Sequence, residues 1–157
     1  MSWLQPRLSV AEIEEGVALA PKFDKDGLLP VVTTDVTSGG VLMVGVMNRD
    51  ALLRSIETGE AHYWSRSREA VWHKGATSGM VQTIVEMRID DDQDALWLAV
   101  SIQGLGGSCH VGYRSCFYRA VPVRQTPDIP LRLQFREHAK LFDPATVYAG
   151  ASNPTCL

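Results

Sequence analysis

The stretch Val81-Gln82-Thr83-Ile84-Val85-Glu86-Met87-Arg88-Ile89, followed by Asp90-Asp91-Asp92-Gln93-Asp94 and then by Ala95 to Ile102, decides the fold. Its odd positions Val81, Thr83, Val85, Met87 and Ile89 alternate with Gln82, Glu86 and Arg88. That period of two, broken only at Ile84, predicts a half-buried strand. Ala95 to Ile102 is more continuously apolar and predicts a second strand, with the acidic run turning the chain between them.

Upstream, Leu28 to Asp35 and Gly40 to Met47 are β-branched or apolar and are broken by Thr37-Ser38-Gly39-Gly40, the pattern of a hairpin. Asn48 then caps a helix carrying Leu52, Leu53 and Ile56 on one side, with Gly59 just past its end. Ala61 to Arg66 and Val71 to Lys74 read as short aromatic-rich strands around a polar bend. Ser9-Val10-Ala11-Glu12 has the form of a capping box that starts a peripheral helix, and Gly16 stops it. Downstream, Gly104-Leu105-Gly106-Gly107 opens a mobile loop, and Phe117 to Val123 resumes as a strand. Pro122, Pro127 and Pro130 mark a linker into a tail where Asp143-Pro144 starts one more short helix. The expected class is α+β, a β-rich single domain with few short helices and no internal repeat.

Composition bounds the function. The chain has 157 residues, enough for one core, with 45% hydrophobic and 21% charged residues, inside the globular range. Fifteen basic against 18 acidic side chains leave a net charge of −3, so no broad cationic face favours nucleic acid. The longest apolar run, Val41 to Met47, is far short of the ~20 residues that cross a bilayer. The opening Met1-Ser2-Trp3-Leu4-Gln5-Pro6-Arg7 has no secretory pattern, and a soluble cytoplasmic protein is the expectation. Three cysteines, Cys109, Cys116 and Cys156, are too few for a disulfide framework, so reduced thiols free to bind metal are expected, with Cys156 an unpaired bystander.

Three groups of residues could carry chemistry. Strand geometry carried into the acidic turn points Asp90, Asp92 and Asp94 one way and Asp91 the other. A hard oxygen cluster of this kind suits Mg2+ or Ca2+, or else is a solvated acidic turn; EF-hand spacing is excluded because Ala95 and Ser101 stand where glycine and glutamate are required. Cys109 and Cys116, with His110 between them, can reach one Zn2+ or can be inert buried cysteines. The zinc-deaminase pattern is absent, since no histidine is followed two residues later by glutamate. Finally, His62-Tyr63-Trp64-Ser65-Arg66-Ser67-Arg68 and Trp72-His73-Lys74-Gly75-Ala76-Thr77-Ser78-Gly79 collect cations, hydroxyls, glycines and aromatics, the groups a phosphorylated nucleotide takes. An exposed hairpin with core tryptophans has the same composition.

Read together, these segments resemble the phosphoribosyl-AMP cyclohydrolase family of histidine biosynthesis. The resemblance runs from about Leu28 to Ala120 and rests on the HYWSRSR, WHKG and TSG segments, the aspartate cluster, Cys109-His110 and Arg114-Ser115-Cys116-Phe117. It implies a helical lead-in over 1–27, a cyclohydrolase domain over 28–121 and a Pro-interrupted extension over 122–157. It also implies an intertwined homodimer whose metal site is shared between subunits, and a phosphorylated purine nucleotide as substrate. The implied activity is hydrolytic opening of the adenine ring of 1-(5-phosphoribosyl)-AMP. Carried onto this sequence, Asp90, Asp92 and Asp94 would hold Mg2+, while Cys109, Cys116 and Asp91 would hold Zn2+. His110 would transfer the proton. Arg66, Ser67, Arg68, His73, Lys74, Thr77, Ser78, Arg114 and Ser115 would bind substrate.

One departure stands out. The family's acidic motif usually reads Asp-Cys-Asp-x-Asp, and Asp91 occupies the cysteine position here. A carboxylate in place of a thiolate makes the site harder and opens it to Mn2+, Fe2+ or Co2+. Two rival readings remain at this point: a paralogue acting on another purine nucleotide or with altered metal use, and a non-catalytic metal- or nucleotide-binding module.

Overall fold

The computed structural model describes residues 3–155; Cys156 lies outside them. The lead-in helix α1 (Val10–Glu15) starts at Ser9, whose Oγ accepts the Glu12 N–H at 3.2 Å, and buries no residue. β1 (Leu29–Asp35) and β2 (Val41–Met47) form the expected antiparallel hairpin, with a bulge between Thr33 and Thr34. Its turn is closed by the Asp35 carboxylate, which accepts the Ser38 N–H at 3.0 Å and the Ser38 hydroxyl at 2.7 Å. α2 (Arg49–Thr58) runs from the Asn48 cap, whose Oδ1 accepts the Ala51 N–H at 2.9 Å, to a left-handed Gly59 at φ 70°. The face of α2 turned inward is Ala51, Leu52 and Ser55, while Ile56, expected on that side, stands out to solvent.

β3 (His62–Ser65) and β4 (Ala70–His73) form a separate two-stranded hairpin beneath α2 and β2. Ser55 fastens it to the helix, accepting the His62 N–H at 2.9 Å and donating to the Ala51 carbonyl at 2.8 Å. β5 (Gln82–Ile89) and β6 (Leu96–Ile102) are the two strands of the deciding stretch, paired antiparallel. β6 also lies parallel to β1, which gives a four-stranded sheet of order β2-β1-β6-β5.

The simple alternation expected for β5 is corrected by a bulge. The register skips Val85, with Ile84 opposite Val100 and Glu86 opposite Ala99. An inserted residue swaps the faces on either side of it. Gln82 and Ile84 therefore share the core side with Met87 and Ile89, and Val85 is 60% exposed.

The core lies between the sheet and the α2–hairpin layer, around Leu29, Val31, Leu42, Met47, Leu52, Tyr63, Leu96, Leu98 and Val100. The other face of the sheet carries Val32 beside Val44 and Trp97 in one cross-strand row, and both of those outer side chains are exposed.

The strand expected over Phe117–Val123 is reduced to β7 (Arg119–Ala120), because Pro122 cannot donate to a ladder. Its partner is β8 (Gln134–Phe135), so the segment beyond the prolines is no mere linker: it doubles back on the cysteine loop. α3 (Pro144–Val147) begins at Asp143 as expected. Among the described residues no helix is long and apolar enough to cross a membrane.

Candidate metal and substrate site

The expected site residues fall in three places. At the end of the sheet where β5 begins, the loop over 107–118 brings the Cys109 and Cys116 thiols close enough to shift one another's ionisation. Backbone bonds shape this loop: Ser108 N–H to Arg114 O at 2.8 Å, Cys109 N–H to Tyr113 O at 3.2 Å, and Cys116 N–H to Leu42 O on the edge strand at 2.7 Å. The hydrogen bond from Cys116, the Val111 backbone and the nearby Lys74 charge bring the Cys109 thiol down to about 6. Cys116 is pushed up, by that same hydrogen bond first, then by burial and the Cys109 charge. One thiolate therefore forms easily and resists the second, a donor pair suited to a thiophilic divalent cation. The Glu137 carboxylate raises both thiols, opposing the fall of Cys109 and adding to the rise of Cys116.

Lys74 belongs to this place. Its ammonium is buried, donates to the Ser108 carbonyl at 2.8 Å and sits 5.5 Å from the Trp72 ring. Burial lowers its pKa, and the two thiols partly restore it. Gly75 next to it has φ +92°, and a Cβ there would run into the Met80–Val81 backbone, so glycine is required for the chain to leave β4.

Behind the loop runs a polar chain through the core that the sequence reading did not identify. Thr33 Oγ1 is 2.7 Å from the Tyr63 hydroxyl, which donates to Gln82 Oε1 at 2.7 Å. Gln82 Nε2 donates to Ser108 Oγ at 3.2 Å and to Met43 Sδ at 3.4 Å. Burial raises the Tyr63 pKa strongly, so the phenol stays a donor. One signal was available, a glutamine in β5 whose neighbours at i+2, i+5 and i+7 are apolar once a bulge is allowed.

His110 is half-buried beside Cys109, its Nε2 3.4 Å from Thr155 Oγ1. Arg114 is exposed, and Ser115 Oγ donates to the Val41 carbonyl at 2.7 Å. The β3–β4 hairpin presents Arg66, Ser67 and Arg68 at its exposed tip, with the Arg68 guanidinium 5.9 Å from the Trp72 ring. At its base the His62 and His73 rings stack at 4.6 Å. His73 Nε2 lies 2.7 Å from Glu60 Oε2, near enough for an ion pair but not aligned as a hydrogen bond. Thr77 and Ser78 lie in the turn after Gly75; Thr77 is exposed and Ser78 Oγ accepts the Met80 N–H at 3.2 Å.

The third place is the acidic turn at the opposite end of β5 and β6. Asp90, Asp92 and Asp94 each offer an oxygen within 4.8 Å of the others, grouped as expected but by a turn with left-handed Gln93 instead of by continued strand alternation. Asp94 is raised, by desolvation first and then by the charges of Asp92 and Asp90. Asp90 Oδ1 shapes the turn by accepting the Asp94 and Ala95 N–H groups at 2.8 and 3.0 Å. Gln93, at φ 59° and buried, reaches out to tie the lead-in down: its Oε1 accepts the Ala20 N–H at 2.8 Å and its Nε2 donates to Ile13 and Ala18. Asp91 is exposed on this turn. The seven steps from Gln82 to Ile89 span roughly 23 Å at about 3.3 Å each, so Asp91 cannot meet the cysteines of its own chain.

Similarity to known proteins runs through the same residues. Residues 43–118, from β2 to the end of the cysteine loop, match the family model described as phosphoribosyl-AMP cyclohydrolase. A protein of that name from Nitrobacter winogradskyi is 54% identical over 89% of this chain and 94% of its own length. One from Bradyrhizobium diazoefficiens is 53% identical over 87% of this chain and 94% of its own. A third, from Brucella anthropi, is 55% identical over 78% and 86%. Identity of this order over most of the chain, with a family model that spans the hairpin, the acidic turn and the cysteine loop, leaves one conclusion: the chain belongs to the phosphoribosyl-AMP cyclohydrolase family.

Proposed function

We infer that this chain is a metal-dependent phosphoribosyl-AMP cyclohydrolase acting in histidine biosynthesis, a hydrolase of a cyclic amidine C–N bond. The observation that carries the reading is the Cys109–Cys116 thiol pair, preformed beside a buried lysine inside the segment shared with the family. Water adds at the adenine carbon bearing the exocyclic nitrogen. The bond from that carbon to the ribosylated ring nitrogen then breaks, and as the water oxygen becomes the carboxamide oxygen one of its protons ends on that ring nitrogen and the other on the exocyclic nitrogen. His110, next to Cys109 at the edge of the loop, is the group proposed to carry the proton to the ring nitrogen.

The donor chemistry fits the two metals. Cys109 and Cys116 would hold Zn2+ and the three clustered aspartates Mg2+. When bound, the thiolate-held ion supplies nucleophilic water at neutral pH, because coordination lowers the pKa of water towards about 7. Two thiols need a further ligand, and the only route for Asp91 is from a second chain, as the partner's Asp91 in a homodimer. The exposed Val44 and Trp97, flanking half-buried Val32 on the outer sheet face, support such an association. A carboxylate third ligand accommodates Mn2+, Fe2+ or Co2+ as well as zinc.

The substrate carries two phosphate groups, for which Arg66, Arg68 and Arg114 offer exposed cations, with Ser67, Thr77, Ser78 and Ser115 as hydroxyl partners and His73 at the hairpin base. Lys74 is the inner member of the set, able to meet only a group that enters beside the thiols. Incubation of the purified chain with phosphoribosyl-AMP, followed by the ultraviolet change of ring opening, tests the reading. Turnover supports it; binding without turnover favours a silent module, and no ring opening with any divalent metal refutes it.

A further inference from the structure

The family match ends at Tyr118, yet the cysteine loop is held from outside that span. Glu137, half-buried in the returning extension, accepts the Arg114 N–H on Oε1 at 2.8 Å and the Ser115 N–H on Oε2 at 3.0 Å. These are consecutive amides, and the next residue is Cys116. Two successive N–H groups converging on one carboxylate form a nest closed by charge-assisted bonds, which fixes the orientation of the peptides it grips. The surrounding extension is built to present that carboxylate. Arg136 N–H donates to Tyr118 O at 2.7 Å, and Leu141 N–H to Gly112 O at 2.8 Å. The Phe142 ring, buried, fills the space over Gly107, where a Cβ would lie 2.6 Å from it. Tyr113 and Tyr118 stack at 4.0 Å with Phe135 against both.

We propose that Glu137 is a positioning residue for the thiol pair: by holding the Arg114 and Ser115 amides it sets the place of Cys116 relative to Cys109, and so the metal affinity of the site. The proposal rests on the reading of Cys109 and Cys116 as metal ligands. It does not rest on charge, since the Glu137 carboxylate opposes thiolate formation; what it contributes is the pair of hydrogen bonds. Cys116 is otherwise tied through its own N–H to Leu42 and through the preceding Ser115 hydroxyl to the Val41 carbonyl, and Glu137 adds the hold on the two amides that lead into it.

The test uses the full chain, stripped of metal and titrated with zinc against a chromophoric chelator. Glu137→Gln keeps the shape but replaces one acceptor with a donor. It is expected to weaken zinc binding by about 10- to 100-fold, the range found when groups that orient ligands are removed. It should also speed amide hydrogen exchange at Arg114 and Ser115 while leaving β1, β5 and β6 protected. Asp143→Ala, which removes the cap of α3 in the same extension, should leave zinc affinity within about twofold of the parent. Cys109→Ala provides the reference for loss of a ligand. If Cys109→Ala loses zinc while Glu137→Gln binds it as the parent does, the positioning role is overturned and the ligand reading stands. If Cys109→Ala itself binds zinc as the parent does, the ligand reading fails and the proposal with it. Equal losses in Glu137→Gln and Asp143→Ala would show general loosening of the extension and would also overturn it.

Discussion

Tyr63→Phe removes one oxygen from the middle of the buried chain that runs from Thr33 to Ser108. The ring stays packed against Trp72 at 5.4 Å and over Gly45, so the loss is confined to hydrogen bonding. Thr33 Oγ1 and Gln82 Oε1, each 2.7 Å from the phenol oxygen, both lose a partner in a region with no access to water. Thr33 can rotate towards another acceptor. Gln82 cannot turn, because its Nε2 is committed to Ser108 and Met43. An orphaned buried group costs about 1–3 kcal/mol, so the pair should cost about 2–4 kcal/mol. For a chain of this size that lowers the thermal midpoint by about 5–15 °C. Thermal unfolding of the metal-free protein, read by circular dichroism, measures it. Adding Gln82→Leu should recover part of the loss, since removing both partners costs less than removing one, and the double-mutant cycle should show coupling of about 0.5–3 kcal/mol. A shift below about 2 °C for Tyr63→Phe, or strictly additive effects, would refute the network as drawn.

The acidic turn makes a pH prediction. Because the Asp94 carboxyl is raised in the folded chain, the unfolded chain loses its proton first as pH rises past the ordinary 3.8, and stability falls from there through the raised folded value and stays lower above it. Asp94→Asn should therefore raise the midpoint at pH 7 but not at pH 3, and the rise in midpoint expected for the parent on adding Mg2+ should be lost in the variant; equal effects at both pH values would contradict this. Arg66→Ala should raise KM by the equivalent of about 1–3 kcal/mol if a charge-assisted phosphate bond is lost, and unchanged steady-state kinetics would remove Arg66 from the site. Asp91→Ala should lower metal content and turnover together and Asp91→Cys should raise zinc affinity, while mixing inactive Asp91→Ala with inactive Cys109→Ala chains should restore activity through sites made of one intact half from each; retention of metal and activity by Asp91→Ala alone would show that Asp91 is no ligand.

Elements governed by local signals were legible. The Asn48 cap and the Gly59 stop bound α2 to the residue, Ser9 and Asp143 start their short helices, and alternation placed the first strand of the deciding stretch while a continuous apolar run placed the second. Asp90, Asp92 and Asp94 do cluster, but the strand ends at Ile89 and a turn closed by Gln93 N–H to Asp90 O, not continued alternation, brings them together. Val85 was misplaced because a bulge depends on the partner strand, which one strand's pattern does not report. The parallel pairing of β1 with β6 joins residues some sixty-five positions apart, and no local preference selects it. The return of the extension went unseen for a related reason: Arg136-Glu137-His138 reads as a solvated polar run, and only the tertiary contact at Tyr118 and Gly112 turns Glu137 onto the loop. Lys74 carried a warning that was not used, since a lysine ending a strand beside a required glycine has little room to reach water.

The most direct test of the account is reconstitution. Protein stripped of metal should be inactive on phosphoribosyl-AMP in the presence of Mg2+ alone, and added zinc should restore ring opening with a break at about one equivalent per chain. Cys109→Ala and Cys116→Ala should show no such restoration at any zinc concentration that leaves the fold intact. Full turnover by the stripped protein, or zinc-dependent turnover by either cysteine variant at the parent rate, would contradict the assignment of the thiol pair as the centre of the reaction.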